Sequence, residues 1–254
     1  MADWIALTEE FGRWRAANVS DGAVSDRKSG PAARPLLPDG AAAIVAASTA
    51  GPTPRALPCT PRPEGALPLT EIGGQSYPAL PGLIQDSDGT EVTAPEAARI
   101  AGILAGLPQF DGVIWICGAS AIWAHISAGE VVSAMRAGSA AMLAALGAPL
   151  EAGDGFDAAL ADTLSRPERL ARELAPLSLG RPAPRAAGAV LGAELAAAKP
   201  WWLGQTVLAL SSASAPGWSE ICARGLQAQG AQVTLGDGEA ALIAGLSAAR
   251  RPGA

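Results

Sequence analysis

The sequence predicts an α/β fold whose sheet is partly parallel. Three observations carry that prediction. Strand-like and helix-like segments alternate through the last third of the chain, from Gln205 to Ala249. Near the middle, an apolar strand at Val113–Cys117 runs into a small-residue loop, Gly118–Ala121, and then into two more strands and a helix. The totals agree: 254 residues, 49% hydrophobic and 17% charged, can bury one large core or two lobes.

Asp3–Leu7 alternates weakly and reads as a first strand. Gly12–Asn18 reads as the second strand of a hairpin closing on Asp21-Gly22. Between Ser29 and Pro81 prolines recur (Pro31, Pro35, Pro38, Pro52, Pro54, Pro58, Pro61, Pro63, Pro68), each removing a backbone donor and fixing φ. That stretch is expected to be extended loop, interrupted by one short strand or helix at Ala41–Ala47. Thr93 and Glu96 then frame a capping box ahead of Ala97, Ile100, Ile103 and Leu104, which share one helical face. This helix is expected to join an N-terminal lobe, 1–108, to a C-terminal lobe, 109–254.

In the second lobe the central strand and loop are followed by two strands joined at Ser127–Glu130 and a helix ending near Gly147. Phe156–Thr163 and Pro167–Leu174 read as short helices, and Ala186–Lys199 as a longer one ended by Pro200. Gln205–Leu210 is a strand, Trp218–Gln229 a helix, Gln232–Leu235 a strand and Glu239–Ala249 the last helix.

Charge and composition exclude several function classes. The formal net charge is −6, and no Lys/Arg cluster with interleaved aromatics offers a nucleic-acid footprint. The Ala-rich runs near Ala41 and Ala137 fall short of the roughly 20 apolar residues of a membrane span. Cys59, Cys117 and Cys222 are widely spaced and odd in number, which suits a reducing compartment. His125 is the only histidine, so a histidine-based zinc centre is not expected. Acidic residues stand where a signal peptide needs basic ones, and the cytoplasm is the expected location.

A small-residue loop after a buried strand lets backbone N–H groups approach an anion closely. The stretch DGVIWICGASAIWAHIS at Asp111–Ser127, the helix GAVLGAELAAA at Gly188–Ala198, and the closing helix-strand-helix at Gly217–Ala249 occur in an order that resembles the 2-dehydro-3-deoxygalactonokinases. PALPGLIQDSD at Pro78–Asp88 and the Pro58–Cys59 pair resemble family stretches less specifically. The resemblance implies a two-lobed actin-like ATPase (ribonuclease H-like) fold with a reduced first lobe. It also implies ATP-dependent phosphorylation of 2-dehydro-3-deoxy-D-galactonate in galactonate catabolism, with ATP and Mg²⁺ as cofactors and a sugar acid as partner.

The same comparison assigns candidate positions. Thr8, Gly12, Gly118, Ala119 and Ser120 fall in the family's two phosphate loops. Glu96 is the surviving member of a substrate-contacting turn, with a first-turn helix acid as the competing reading. Gly192, Glu194, Ser211 and Ser212 fall where the nucleotide is held, although Glu194 equally suits an exposed helix. The departures cluster here. In this family a strand ends in Asp-x-Gly-Thr, whose acid serves the metal; this chain reads Thr8-Glu9-Glu10-Phe11-Gly12. Glu9 or Glu10 is the remaining way to reach Mg²⁺. Phe11 crowds the phosphate approach, and neither lysine, Lys28 or Lys199, lies in a family motif. No residue is assigned a catalytic or metal-ligating role.

Two functions therefore stand side by side: the family's kinase activity, and a non-catalytic pseudokinase that binds a sugar acid or a protein partner. Trp115 and Trp123 are expected in the core, and His125 as a structural histidine. Trp201–Trp202, read as a loop pair, leaves room for a lobe anchor or a homo-oligomer contact.

Overall fold

The computed structural model describes residues 3–250, and these divide into two compact units. The first comprises the chain up to Phe110 with Ser127–Ala134 and the segment from Glu239 onward; the second comprises Asp111–Ile126 and Met135–Gly238.

The first unit opens with β1 (Trp4–Glu10), β2 (Arg13–Ser20) and β3 (Ala23–Gly30). Two hairpin turns link them, not one. Phe11 and Gly12 (φ 53° and 72°) close β1 on β2, and Asp21 and Gly22 (φ 49° and 83°) close β2 on β3. Both turns place two successive residues in the left-handed region, the geometry that matches strand twist. The sequence reading assigned Asp21-Gly22 to the wrong pair of strands because Phe11 is a poor advertisement for a left-handed turn.

β4 (Ala43–Ala47) lies parallel to β1, giving the sheet order β3-β2-β1-β4. Every residue of β1 and β4 is buried. The Pro-rich stretch is more structured than its prolines advertise. It contributes β5 (Arg55–Ala56) and the hairpin β6 (Leu69–Ile72) with β7 (Gln75–Pro78), and just beyond it β8 (Leu83–Gln85) pairs with β9 (Thr90–Val92). Ile5, Leu7, Val45, Ile72 and Tyr77 form the core on one side of the main sheet.

α1 (Ala94–Gly106) begins at the predicted capping box: the Glu96 carboxylate accepts the Thr93 N–H at 2.8 Å. It crosses the last helix at a pair of glycines. A Cβ on Gly102 would lie 1.9 Å from the Ala241 carbonyl oxygen, and one on Gly245 would lie 1.8 Å from that of Ala98. Only glycine permits that approach.

Next come β10 (Gly112–Cys117), β11 (Ala121–Ser127) and β12 (Glu130–Ala137), of which all but Ser127–Ala134 belong to the second unit. Then follow α2 (Ser139–Ala145), α3 (Phe156–Ser165), α4 (Leu170–Ser178), α5 (Ala186–Ala197) and α6 (Lys199–Trp202). β13 (Thr206–Ser211), α7 (Trp218–Gln227) and β14 (Gln232–Gly236) complete it, and α8 (Gly238–Ala249) leads back into the first unit. The sheet order is β12-β11-β10-β13-β14, with β10, β13 and β14 mutually parallel. Pro200 opens α6 instead of merely ending α5, because a first-turn position needs no N–H. Trp202 is consequently buried, with its indole N–H donated to the Leu195 carbonyl at 2.8 Å, so the tryptophan pair is not a loop.

Candidate functional site

The first-unit site is the β1–β2 turn. Because β1 alternates, Glu9 points to one face and Thr8 and Glu10 to the other. Glu9 is only 1% exposed, and its carboxylate is fully engaged. One oxygen accepts the Gly12 N–H at 2.7 Å; the other accepts the Thr49 N–H at 2.9 Å and the Thr49 hydroxyl at 3.0 Å. The Glu9 carbonyl also accepts the Ser48 N–H and hydroxyl, at 3.0 and 2.9 Å. The turn's backbone donors thus converge on an oxyanion, and the oxyanion belongs to the chain. Phe11, at the tip, is 59% exposed.

Glu10 is committed to a different task. Arg99, fully buried on α1, forks onto it at 2.7 and 3.0 Å, and Arg15 adds a bond at 3.4 Å. Burial pushes the Glu10 carboxyl up, but the charge and hydrogen bonds of Arg99, with the charge of Arg15, outweigh it and hold the group below the ordinary carboxylate range. Arg99 also donates to Glu239 of α8 at 3.4 Å. Thr8 lies beside this network at 5% exposure and brings no charge.

The second-unit site is the Gly118–Ser120 loop, facing Ser212–Ser214 after β13. The Ala119 N–H donates to the Ser214 hydroxyl at 3.0 Å, and Ser214 lies 2.8 Å from the Ser212 hydroxyl. A Cβ on Gly118 would lie 3.0 Å from the Ser214 oxygen and 3.3 Å from that of Ser212, so the two segments close tightly. Ser120 accepts a bond from Arg136 at 3.0 Å. Ser211 accepts the Gly238 N–H at 3.1 Å. Ala119, Ser120, Ser211 and Ser212 therefore share one end of the sheet.

Gly192 and Glu194 are set elsewhere by their packing. A Cβ on Gly192 would meet the Thr163 hydroxyl at 2.2 Å and the Leu160 carbonyl at 2.3 Å, which makes it a contact between α5 and α3. Glu194 is not on an exposed face; it is buried under the stacked indoles of Trp115 and Trp123, whose centroids are 4.0 Å apart. One Glu194 oxygen accepts both indole N–H groups, at 3.2 and 2.9 Å, and the other accepts the Ser139 hydroxyl. Burial raises its pKa, with the hydrogen bonds from Ser139, Trp123 and Trp115 opposing. Glu96, likewise, serves the cap of α1.

Sequence reasoning missed Thr49 and Ser214, the partners that close each loop. Thr49 lies 40 positions from Glu9 and Ser214 lies 95 from Ala119, so no local pattern connects them.

These two α/β units, each with a donor loop at a strand end, define the fold class: a two-lobed actin-like ATPase architecture. A protein from Sinorhizobium meliloti, described as a candidate 2-dehydro-3-deoxygalactonokinase, superposes with a TM-score of 0.77 at 19% identity, covering 98% of both chains. The activator of 2-hydroxyisocaproyl-CoA dehydratase from Clostridium difficile, solved with bound ADPNP, gives a TM-score of 0.53 at 8% identity, covering 98% of this chain and 94% of that one. No curated protein matches the chain. The family model described as 2-keto-3-deoxy-galactonokinase matches residues 53–249, and the chain belongs to that family.

The family implies a nucleoside triphosphate and its Mg²⁺, and the donor set of the first turn does not fit them. Both carboxylates that could serve the ion are spent, one on the turn and one on Arg99. Among the described residues no group of three or more His, Cys, Asp or Glu side chains is placed to hold a metal ion.

Proposed function

We propose that this chain is a pseudokinase of the 2-keto-3-deoxy-galactonokinase family, a cytoplasmic protein that binds a small sugar acid and does not transfer phosphate. The carrying observation is the Glu9 carboxylate seated on the Gly12 and Thr49 donors. A phosphate arriving there meets Gly12 and Thr49 N–H groups already bonded to Glu9, and that buried carboxylate repels it. Phosphoryl transfer relies on positioning and on neutralising charge at the transferring group, and Thr8 and Glu10 supply neither a metal ligand nor a cation. Family membership supports the ligand class. The alternative, a working kinase using ATP and Mg²⁺ on 2-dehydro-3-deoxy-D-galactonate, draws support from the second-unit loop, where only the neutral Ser214 hydroxyl occupies the donor.

A coupled phosphorylation assay with ATP, Mg²⁺ and 2-dehydro-3-deoxy-D-galactonate separates them, run beside calorimetry with the sugar acid alone. The expected result is sugar-acid binding without turnover. Turnover near ordinary kinase rates, about 1–100 s⁻¹, overturns the proposal.

A further inference from the structure

We infer a second ligand site in the first unit, a pocket for a compact organic anion between the β1–β3 sheet and α8. Strand register builds it. Thr8 pairs with Arg15 and Arg15 with Ser29, forming one cross-strand row; Ala6 pairs with Ala17 and Ala17 with Arg27, forming the next row on the same face. The two alanines leave a hollow between their larger neighbours. Leu242 and Ile243 of α8 wall its far side, and the cavity is about 240 Å³.

The charges around it do not balance. Arg15 and Arg27 line the cavity from this face with one lining acid, Glu239, and Arg15 also bonds Glu10 at 3.4 Å; Lys28, paired with Ala16, belongs to the other face. Arg13, on the same strand face as Arg15, donates to the Ser29 hydroxyl at 3.0 Å and adds a further cation. Glu239 already accepts from Arg99, Glu10 is forked by Arg99, and Lys28 leans 3.9 Å from Asp26. Arg27 has no ion-pair partner among the described residues. A chain of net charge −6 thus gathers guanidinium groups around a hollow with two hydroxyls and an apolar wall. Edge-strand cations also deter pairing with another sheet, but that role needs no cavity.

The occupant that satisfies these features carries a carboxylate or phosphoryl head toward Arg15 and Arg27 and a short apolar body against Ala6, Ala17 and Leu242. The pocket is independent of the Glu9 turn, since Glu9 faces the opposite side of β1.

Calorimetric titration with isobutyrate, neutral isobutyramide and inorganic phosphate tests the site. Isobutyrate is expected to bind and isobutyramide to give no heat. Phosphate binding that depends on Arg27 identifies a phosphoryl head; its failure alongside isobutyrate binding identifies a carboxylate. Arg27 is exposed, so Arg27→Ala keeps the fold and weakens binding about fivefold, the upper range for a solvent-facing pair. Ala17→Leu fills the hollow and abolishes binding while every charge remains. Equal response to the amide, binding unchanged in Arg27→Ala, or no binding of either anion overturns the site.

Discussion

The two units solve the same problem with opposite chemistry. Each has a loop whose backbone donors are closed by the chain's own side chain, and each buries a carboxylate. In the first unit charge does both jobs: Glu9 closes the turn, and Glu10 is held by Arg99. In the second, neutral groups do both: Ser214 closes the loop, and Glu194 is held by two indoles and a hydroxyl. The difference teaches that a buried carboxyl can be held by a paired cation or by neutral donors alone, and that its pKa is driven in opposite directions in the two cases. Glu10 is lowered and Glu194 raised.

The most damaging test removes the cation. Arg99→Met leaves Glu10 buried without its fork and should cost about 3–5 kcal/mol in urea unfolding. The double variant Arg99→Met with Glu10→Leu should recover part of that loss, since no charge is then stranded. A double variant no more stable than Arg99→Met would show that packing, not charge, accounts for the cost.

Removing the neutral counterpart is expected to cost somewhat less. Glu194→Ala strands the indole N–H groups of Trp115 and Trp123 and should cost about 2–4 kcal/mol. Glu194→Gln keeps an acceptor for both and should stay near the parent. Because the folded protein holds the Glu194 proton more tightly than the unfolded chain, this group's stabilisation is fullest at acid pH and falls as pH rises above the ordinary carboxylate range toward the raised folded value. Glu10 contributes the reverse: its stabilisation is present above the ordinary range and is lost as pH falls through the lowered folded value. Between the ordinary carboxylate range and the raised folded value, the stability curve should therefore be flatter in Glu194→Gln than in the parent. An unchanged slope there would mean that Glu194 titrates normally.

Opening the first turn should have a smaller effect on stability and a larger one on binding. Glu9→Ala frees the Gly12 and Thr49 donors, which water can reach at an exposed turn, for a loss of about 1–2 kcal/mol. Inorganic phosphate at about ten times its Kd would restore about 1.4 kcal/mol by mass action. The parent protein should show no such shift at this turn. Equal phosphate stabilisation of parent and variant would break the claim that Glu9 occupies an anion site, provided Ala17→Leu is included in both to silence the second pocket.

Much of this architecture was legible because local pattern and global fold agree in the last third of the chain. Strands at Thr206–Ser211 and Gln232–Gly236 and helices at Trp218–Gln227 and Gly238–Ala249 follow the alternation closely. The capping box at Thr93 and Glu96 was legible for the same reason. β3 was not, since Ala23–Gly30 is polar and exposed on a sheet edge and carries no hydrophobic period. The Pro-rich stretch hid β6 and β7, whose pairing is supplied by a hairpin at Gly73-Gly74 and not by apolar alternation. Of the site, the sequence reveals that Asp-x-Gly-Thr is missing and that glutamates stand nearby. It does not reveal which way they point. Strand alternation sends Glu9 and Glu10 to opposite faces, but only the distant Thr49 and Arg99 decide what each face holds.

The gentlest perturbation tests the neutral half of the comparison. Ser214→Ala removes the hydroxyl that accepts the Ala119 N–H, a single neutral hydrogen bond, for a loss of about 0.5–1 kcal/mol. The freed donor sits beside Gly118, where the chain runs close to Ser212, and the side chain that closes it in the parent, Ser214, is neutral. An anion can therefore reach Ala119 without displacing charge, and a thermal-shift titration with ATP should respond more in Ser214→Ala than in the parent. If ATP instead stabilises the parent and the Ser214→Ala variant loses that response, Ser214 is a nucleotide contact and not a plug.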